Sequence, residues 1–355
     1  MSPNVGVHRL IELQLGRPVQ RIGCAMHMAE LPARHLLEFL DEGTSGPIAT
    51  SGPLGEALRK LNDNLTPFVN FEKIETNVPI MDRKLFCGKQ DLIFLYDFCH
   101  GIANSKIPEQ YLTKEAQPIH SARFNTTFCR LLNLYCRQES PSEELKIMVT
   151  YISQAYAPTI FSIVLQPHLK YGSFHFFNYL KWSKKCLSVL HFNHVKKYFI
   201  KNAYFCHSEN ILLACVLSED KQMSKKALNL IKEARKWEQK SKAKDVRKYI
   251  TPTEDQLDFE ADNPLDLLKW DKVPKKHVRS PPLLKHFTIQ QLEVPSALEI
   301  PEILCHSQHN EGPFINHVAT FLMILIPLPT VVQDINKRSG MKLNLNEFRS
   351  DKKLE

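Results

Sequence analysis

The stretch 119-IHSARFNTTFCRLLNLYC-136 carries the strongest helical pattern in the chain. Apolar side chains recur in it at helical spacing, at Phe124, Phe128, Leu131, Leu132 and Tyr135. Arg123, Asn125 and Arg130 fall outside this apolar stripe. The pattern predicts a core helix with one polar edge.

Similar patterns predict further helices on both sides of this stretch, at residues 89–103 and 224–249. Another helix should start at Ser140, followed by Pro141 and Glu143 in the order of a capping box, and should end before Pro158. We therefore expect a mainly α protein.

Positive charge is concentrated in one part of the chain. The net charge is +8, but residues 181–248 hold 17 Lys and Arg against 6 Asp and Glu. Such a segment suits a polyanionic partner, because Lys and Arg displace the counterions of nucleic acid; the alternative is a merely solvated surface. The candidate DNA-binding residues are Lys184, Lys185, Lys196, Lys197, Lys225, Lys232, Lys236 and Lys240.

Between residues 161 and 205, aromatic residues are interspersed with lysines. They could stack on unpaired bases, but core packing with lysines at the rim is the more common arrangement. The 12 glycines form no phosphate-binding loop. The most apolar run, residues 318–332, is too short to cross a membrane and is interrupted by two prolines.

The nine cysteines are spread along the chain, and we expect them to be reduced, buried thiols of an intracellular protein. Cys24 and His27 form a C-x-x-H pair with the spacing of half a zinc site. His35 is the nearest further ligand, and no second Cys or His pair completes the site. We therefore expect Cys24 and His27 to pack at a helix start and to bind no metal.

Three motifs in order resemble the C-terminal portion of hAT-like transposases. Cys24 and His27 match a C-x-x-H that follows the second catalytic aspartate, and residues 123–126, RFNT, resemble an R-W-N-S/T motif. Residues 305–314, CHSQHNEGPF, resemble the segment with the last catalytic glutamate, which would be Glu311, although Gly312 departs from the pattern. The resemblance spans residues 5–317.

The resemblance implies an RNase H-like nuclease core with a large helical insertion. Two aspartates and one glutamate would hold two divalent metals there. Before Cys24, however, the chain has no aspartate, and Glu12 is its only acid. Glu311 alone cannot hold two cations, so we expect no Mg²⁺ or Mn²⁺ cofactor unless an intact acidic triad exists. The implied protein is a truncated transposase relic without strand-transfer activity.

The predicted architecture is a helical insertion domain with a partial, incomplete RNase H-like α/β remnant. Residues 1–50 would be core remnant, 51–273 the helical insertion, 274–282 a Pro-rich connector, and 283–355 the C-terminal core remnant and tail. The predicted function is non-specific DNA binding through the basic segment, in the nucleus rather than the cytoplasm and without a membrane partner.

Two other functions fit the sequence. One is a helical protein-interaction scaffold without a nucleic-acid role, in which the lysines only solubilise. The other is a metal-dependent nuclease that uses a different set of acids, such as Asp41, Glu209 and Glu311.

Overall fold

The computed structural model describes residues 20, 23–41, 52–63, 66–112, 125–167, 169–202, 204, 207–241 and 252–284, all within one unit that spans residues 20–299. The α-helices of this part are α1 (Ala25–Leu40), α2 (Pro53–Asp63), α3 (Gln90–Ala103), α4 (Asn125–Tyr135), α5 (Glu143–Tyr151), α6 (Ala157–Leu165), α7 (Gly172–Cys186), α8 (Val189–Ile200), α9 (Ser208–Val216) and α10 (Lys221–Lys240). The described residues contain no strand, only one isolated bridge between Leu257 and Leu268. The mainly α fold is thereby confirmed.

Helix α4 corresponds to the opening sequence stretch and belongs to the buried core. It contacts α2, α3 and α5, and all of its residues are buried. Its expected polar edge therefore does not face solvent. Asn125 donates through Nδ2 to Asp91 Oδ2 at 3.1 Å, and Asn133 accepts from Arg137 Nε at 2.9 Å. Neighbouring elements thus supply the partners that water would supply on a surface helix.

The helix that begins at Glu143 differs from the prediction at both ends. Its N-cap is Ser142 rather than Ser140, and the Ser142 hydroxyl accepts from the backbone N–H of Leu145 at 3.3 Å. Pro158 does not end the helix. A π-helical turn, Ile152–Tyr156, joins α5 to α6, and Pro158 lies in the first turn of α6. A π turn adds a residue to the helical turn, and this shift accommodates a proline ring that would otherwise clash with the preceding turn.

The carbonyl groups that this turn releases are bound by the extended segment of residues 66–82. Ser153 O accepts from Asn77 N at 3.2 Å and from Thr76 Oγ1 at 2.9 Å, and Gln154 O accepts from Asn77 Nδ2 at 2.7 Å. Because proline has no N–H to donate, carbonyls in the preceding turn need partners from elsewhere. The extended segment provides them.

Residues Glu143–Leu165 are long and apolar enough to cross a membrane, with a mean hydropathy of 1.3, and they are the one such candidate in the described part of the chain. However, 72% of their most apolar window is buried inside the protein. They pack against α1, α3 and α7. These contacts are those of a central core helix.

The remaining helices pack around this core. Helix α7 contacts the π turn, α6, α8 and α9, while α1 packs on α8 and α9 packs on α10. Phe176, Tyr179 and Phe199 are fully buried, and the rings of Tyr179 and Phe199 meet edge to face at 4.8 Å. For these aromatic residues of the stretch 161–205, the core-packing interpretation is confirmed.

The RNase H-like remnant was expected in residues 1–50 and 283–355, and most of these positions, Glu311 among them, lie outside the described residues. The described positions near the N-terminus form helix α1, which contains Pro32. The four segments predicted from the sequence, and the three boundaries between them, stay predictions.

Candidate nucleic-acid interface

Helix α10 has a strongly one-sided surface. Asp220 caps its start by accepting from the backbone N–H groups of Gln222 at 2.9 Å and Met223 at 3.2 Å. The side that packs on α9 consists of small and apolar residues, namely Ser224, Ala227, Leu228, Ile231 and Ala234. Leu230 is only partly buried, whereas Leu228 lies in the core. The helix ends at Lys240, nine residues before the predicted end.

The opposite side of α10 carries five lysines, Lys221, Lys225, Lys232, Lys236 and Lys240, which we call the lysine stripe. At 100° per residue they fall within an arc of roughly 100°, and the helix they follow is about 29 Å long. The other residues of that arc are neutral, because Asn229, Gln222 and Gln239 lie there. All the lysines of the stripe are exposed except Lys232, which is partly buried.

No acidic side chain of the described part pairs with Lys221, Lys225, Lys236 or Lys240. Their charges therefore stay directed into solvent. The sequence predicted Lys225, Lys232, Lys236 and Lys240 as DNA-binding residues, and the structure places them on one helical face.

The predicted lysines on α7 and α8 have different surroundings. Lys184 pairs with Glu260, and Lys196 Nζ lies 2.9 Å from Glu254 Oε1. Both acids belong to residues 254–271, which we call the acidic strap. Lys185 and Lys197 are exposed, and the ammonium group of Lys197 lies 5.2 Å from the ring centre of Tyr198. Of the eight lysines predicted to bind DNA, Lys184 and Lys196 are therefore already paired with acids of the strap.

Two of the three motifs that resemble hAT-like transposases lie at least partly within the described residues. Cys24 is exposed at the N-cap of α1, and His27 Nδ1 lies 3.6 Å from Glu30 Oε2. Within the described residues, no cluster of three His, Cys, Asp or Glu side chains could hold a metal ion. Asn125 joins the starts of α3 and α4 through Asp91. Arg123 lies outside the described residues.

Asp41, one of the acids weighed for a nuclease, caps helix α2. Its Oδ1 accepts from the backbone N–H of Leu54 at 2.7 Å and of Gly55 at 3.3 Å, and its Oδ2 accepts from Gly52 at 3.1 Å. Three backbone donors thus occupy this carboxylate. Its contacts are those of a structural cap.

Glu209, the second of these acids, is buried near the start of α9. Its Oε1 lies 3.9 Å from Arg279 Nη1 and 3.7 Å from His207 Nδ1. Burial alone would raise the pKa of Glu209, but the charge of Arg279 and the proximity of His207 outweigh burial and lower it. The carboxylate therefore stays ionised as half of a buried ion pair.

The Pro-rich connector packs on α9 and α10 through polar contacts that the sequence did not reveal. The backbone N–H of Arg279 donates to Ser208 Oγ at 2.9 Å. Ser280 donates to Glu238 through its N–H at 3.0 Å and its hydroxyl at 2.7 Å. Arg235 donates to the carbonyl of Leu284 at 2.6 Å. Pro281 and Pro282 are buried as well, although prolines after a basic run are typical of an exposed connector.

The cysteines follow their prediction in part. The structure shows seven free cysteines among the described residues, of which Cys99, Cys129, Cys136 and Cys215 are buried. Cys24 and Cys87 are exposed, contrary to the expectation of buried thiols. Each of these two lies at the end of a helical element, where side chains reach solvent.

Comparison with known proteins gives no relative. No protein-family model, no curated protein and no solved structure matches the chain.

Proposed function

We propose that this protein is a transposase-derived DNA-binding protein that holds the phosphate backbone of a duplex along the lysine stripe and joins no strands itself. The observation that carries the DNA-binding proposal is the alignment of the five lysines on the exposed face of α10, with no acid among them. Lysine is a mobile point charge that suits phosphate and cannot read base edges in this arrangement. Binding would therefore be independent of sequence.

The transposase origin rests on the order of the sequence motifs. The helical character of residues 52–241 is compatible with the helical insertion that the resemblance implies. We further propose that residues 1–50 and 283–355 derive from an RNase H-like core. Genomic sequence upstream of the reading frame tests this origin, since an in-frame strand with aspartates would support it and unrelated sequence would oppose it.

The DNA-binding proposal predicts a defined salt dependence. Phosphate contacts by Lys221, Lys225, Lys236 and Lys240 would give a slope of log K against log salt of about −3.6, which is a loss of about 150-fold between roughly 50 and 200 mM salt. The measurement is fluorescence anisotropy of labelled duplexes of two unrelated sequences. Equal affinity for both sequences is the expected result.

Charge removal on the stripe tests the site itself. The triple variant K225Q/K236Q/K240Q should reduce the slope by about 2.7, so that affinity falls only about 3- to 4-fold over the same salt range. The matched control is K73Q/K84Q/K106Q, which removes the same charge from exposed lysines outside the stripe. Equal slopes for the two variants, or no binding at about 50 mM salt, would refute the proposal.

Nuclear localisation is part of the same proposal, because duplex DNA would be the partner. A fluorescent fusion of the full chain tests it in cells. The stripe variant should retain less signal on chromatin than the control variant, whereas equal retention would argue for another partner.

A further inference from the structure

The acidic strap places an excess of negative charge against the basic segment. Residues 254–271 contain seven acids, Glu254, Asp255, Asp258, Glu260, Asp262, Asp266 and Asp271, against the single base Lys269. The strap folds back on itself, since the N–H of Asp258 donates to Leu267 O at 2.8 Å and the N–H of Lys269 donates to Gln256 O at 2.9 Å. It is therefore a defined structural element.

Three carboxylates of the strap bind three lysines from three helices. Glu254 binds Lys196 of α8, and its Oε1 lies 2.9 Å from the ammonium nitrogen. Glu260 binds Lys184 of α7, and Asp266 binds Lys226 of α10. We call Lys184, Lys196 and Lys226 the strap-bound lysines.

Backbone and ring contacts extend this surface. The Phe259 carbonyl accepts from Lys181 Nζ at 3.4 Å, and the Phe259 ring meets Phe192 edge to face at 6.4 Å. The same ring lies 5.2 Å from the ammonium group of Lys196. The strap thus supplies oxygen acceptors and an aromatic face to these lysines.

Leucine side chains hold the strap in place. Leu257, Leu265, Leu267 and Leu268 are all buried, with no more than 3% of their surface exposed. Ion pairs at a surface are weak by themselves and are reduced by salt. Because the leucines fix the strap, its carboxylates stay beside the lysines at high effective concentration even when single ion pairs open.

We infer that the carboxylates of the acidic strap take the place of DNA phosphates on a second basic surface, which consists of the strap-bound lysines. By occupying that surface, the strap confines DNA to the lysine stripe. This inference rests on the proposed DNA binding and adds its regulation. The strap acts in two ways, since it neutralises these lysines and its remaining acids repel an approaching phosphate chain. Without its three pairing carboxylates, the surface would accept phosphates.

The test separates pairing carboxylates from the general negative charge of the strap. The pairing variant is E254Q/E260Q/D266N, and the matched control is D255N/D262N/D271N. The control changes the net charge equally, at exposed acids that bind no lysine in the described part of the chain. Both variants keep the buried leucines, and circular dichroism checks that they fold.

Duplex affinity is measured by anisotropy against salt. The pairing variant should gain three phosphate contacts, so its slope should steepen by about 2.7, and between roughly 50 and 200 mM salt it should lose about 40-fold more affinity than the unaltered protein. The control removes repelling charge but frees no lysine, so it should raise affinity modestly and leave the slope nearly unchanged. If the unaltered protein binds and the two variants show the same slope, the inference is overturned while the proposed function stands.

If only the pairing variant binds DNA, the masking is supported and the proposed role of the stripe fails. If neither variant nor the unaltered protein binds, both proposals fail.

A second measurement requires no variant. Lysine acylation followed by mass spectrometry, with and without DNA, should show protection of Lys225, Lys236 and Lys240 in the unaltered protein and none of the strap-bound lysines. Protection of the strap-bound lysines in that protein would also overturn the inference.

Discussion

Replacing Arg279 with methionine should destabilise the protein by about 3 to 5 kcal/mol, because the change leaves the buried carboxylate of Glu209 without its cation. The side chains of Glu209 and Arg279 are 1% and 5% exposed, so water cannot replace the lost partner. Methionine fills a similar volume, and the backbone N–H of residue 279 can still donate to Ser208. The change therefore keeps this backbone contact and a similar packing volume, and it removes the guanidinium from beside Glu209.

The assay is urea unfolding followed by circular dichroism. At a slope of about 2 to 3 kcal/mol per molar urea, the midpoint should fall by about 1 to 2.5 M. The double variant E209Q/R279M should cost less than the sum of the single variants, since each single change strands one buried charge and the double change removes both. Additive costs, or a cost of Arg279→Met below about 1 kcal/mol, would refute the reasoning.

The same pair predicts a pH dependence with a definite sign. The pKa of Glu209 is lower in the folded protein than in the unfolded chain, so the pair stabilises the fold above the unfolded value of about 4.3. This stability should be lost as the pH falls through the lowered folded value. Glu209→Gln should remove that part of the acid sensitivity, and an unchanged pH profile would show that the folded carboxylate has no lowered pKa.

Two further predictions concern caps and thiols. Asp41→Ala should destabilise the protein by about 0.5 to 2 kcal/mol, because helix α2 loses its cap, whereas Asp41→Asn should cost less; thermal unfolding measures both. In the native protein, Cys24 and Cys87 should react with a maleimide before Cys99, because burial raises the pKa of the Cys99 thiol to about 12 and blocks access; mass spectrometry of the labelled peptides measures the order, and early labelling of Cys99 would contradict it.

Periodicity was enough to predict several helices. The predicted helix at residues 89–103 corresponds to α3, and the opening stretch contains α4. The sequence did not predict that the polar residues of α4 are buried, because their networks include distant positions. Asn125 meets Asp91, which lies 34 residues earlier in the chain. Asn133 meets Arg137 one helical turn on, but that guanidinium is bound in turn by the carbonyls of Thr66 and Tyr111. A polar residue on a helix indicates a hydrogen bond but does not say whether water or another side chain forms it.

Pro158 shows why a local rule failed. A proline disfavours an α conformation at the preceding residue, and on this ground the helix was expected to end. The π turn and the carbonyl partners at Thr76 and Asn77 remove that constraint, so the helix continues. These partners lie 77 residues earlier in the chain, and no window of local sequence contains both sides of the contact.

The charges of the candidate interface also depend on contacts that local sequence does not show. A count over residues 181–248 identifies an excess of lysine and arginine, yet it cannot tell which of these side chains form ion pairs and which face solvent. Lys226 and Lys225 are neighbours on α10, but the strap binds Lys226 while Lys225 faces solvent, since successive helical residues point about 100° apart. The acids that make this distinction lie outside the basic segment. A basic segment thus defines a surface only when its helical faces and its acidic neighbours are known together.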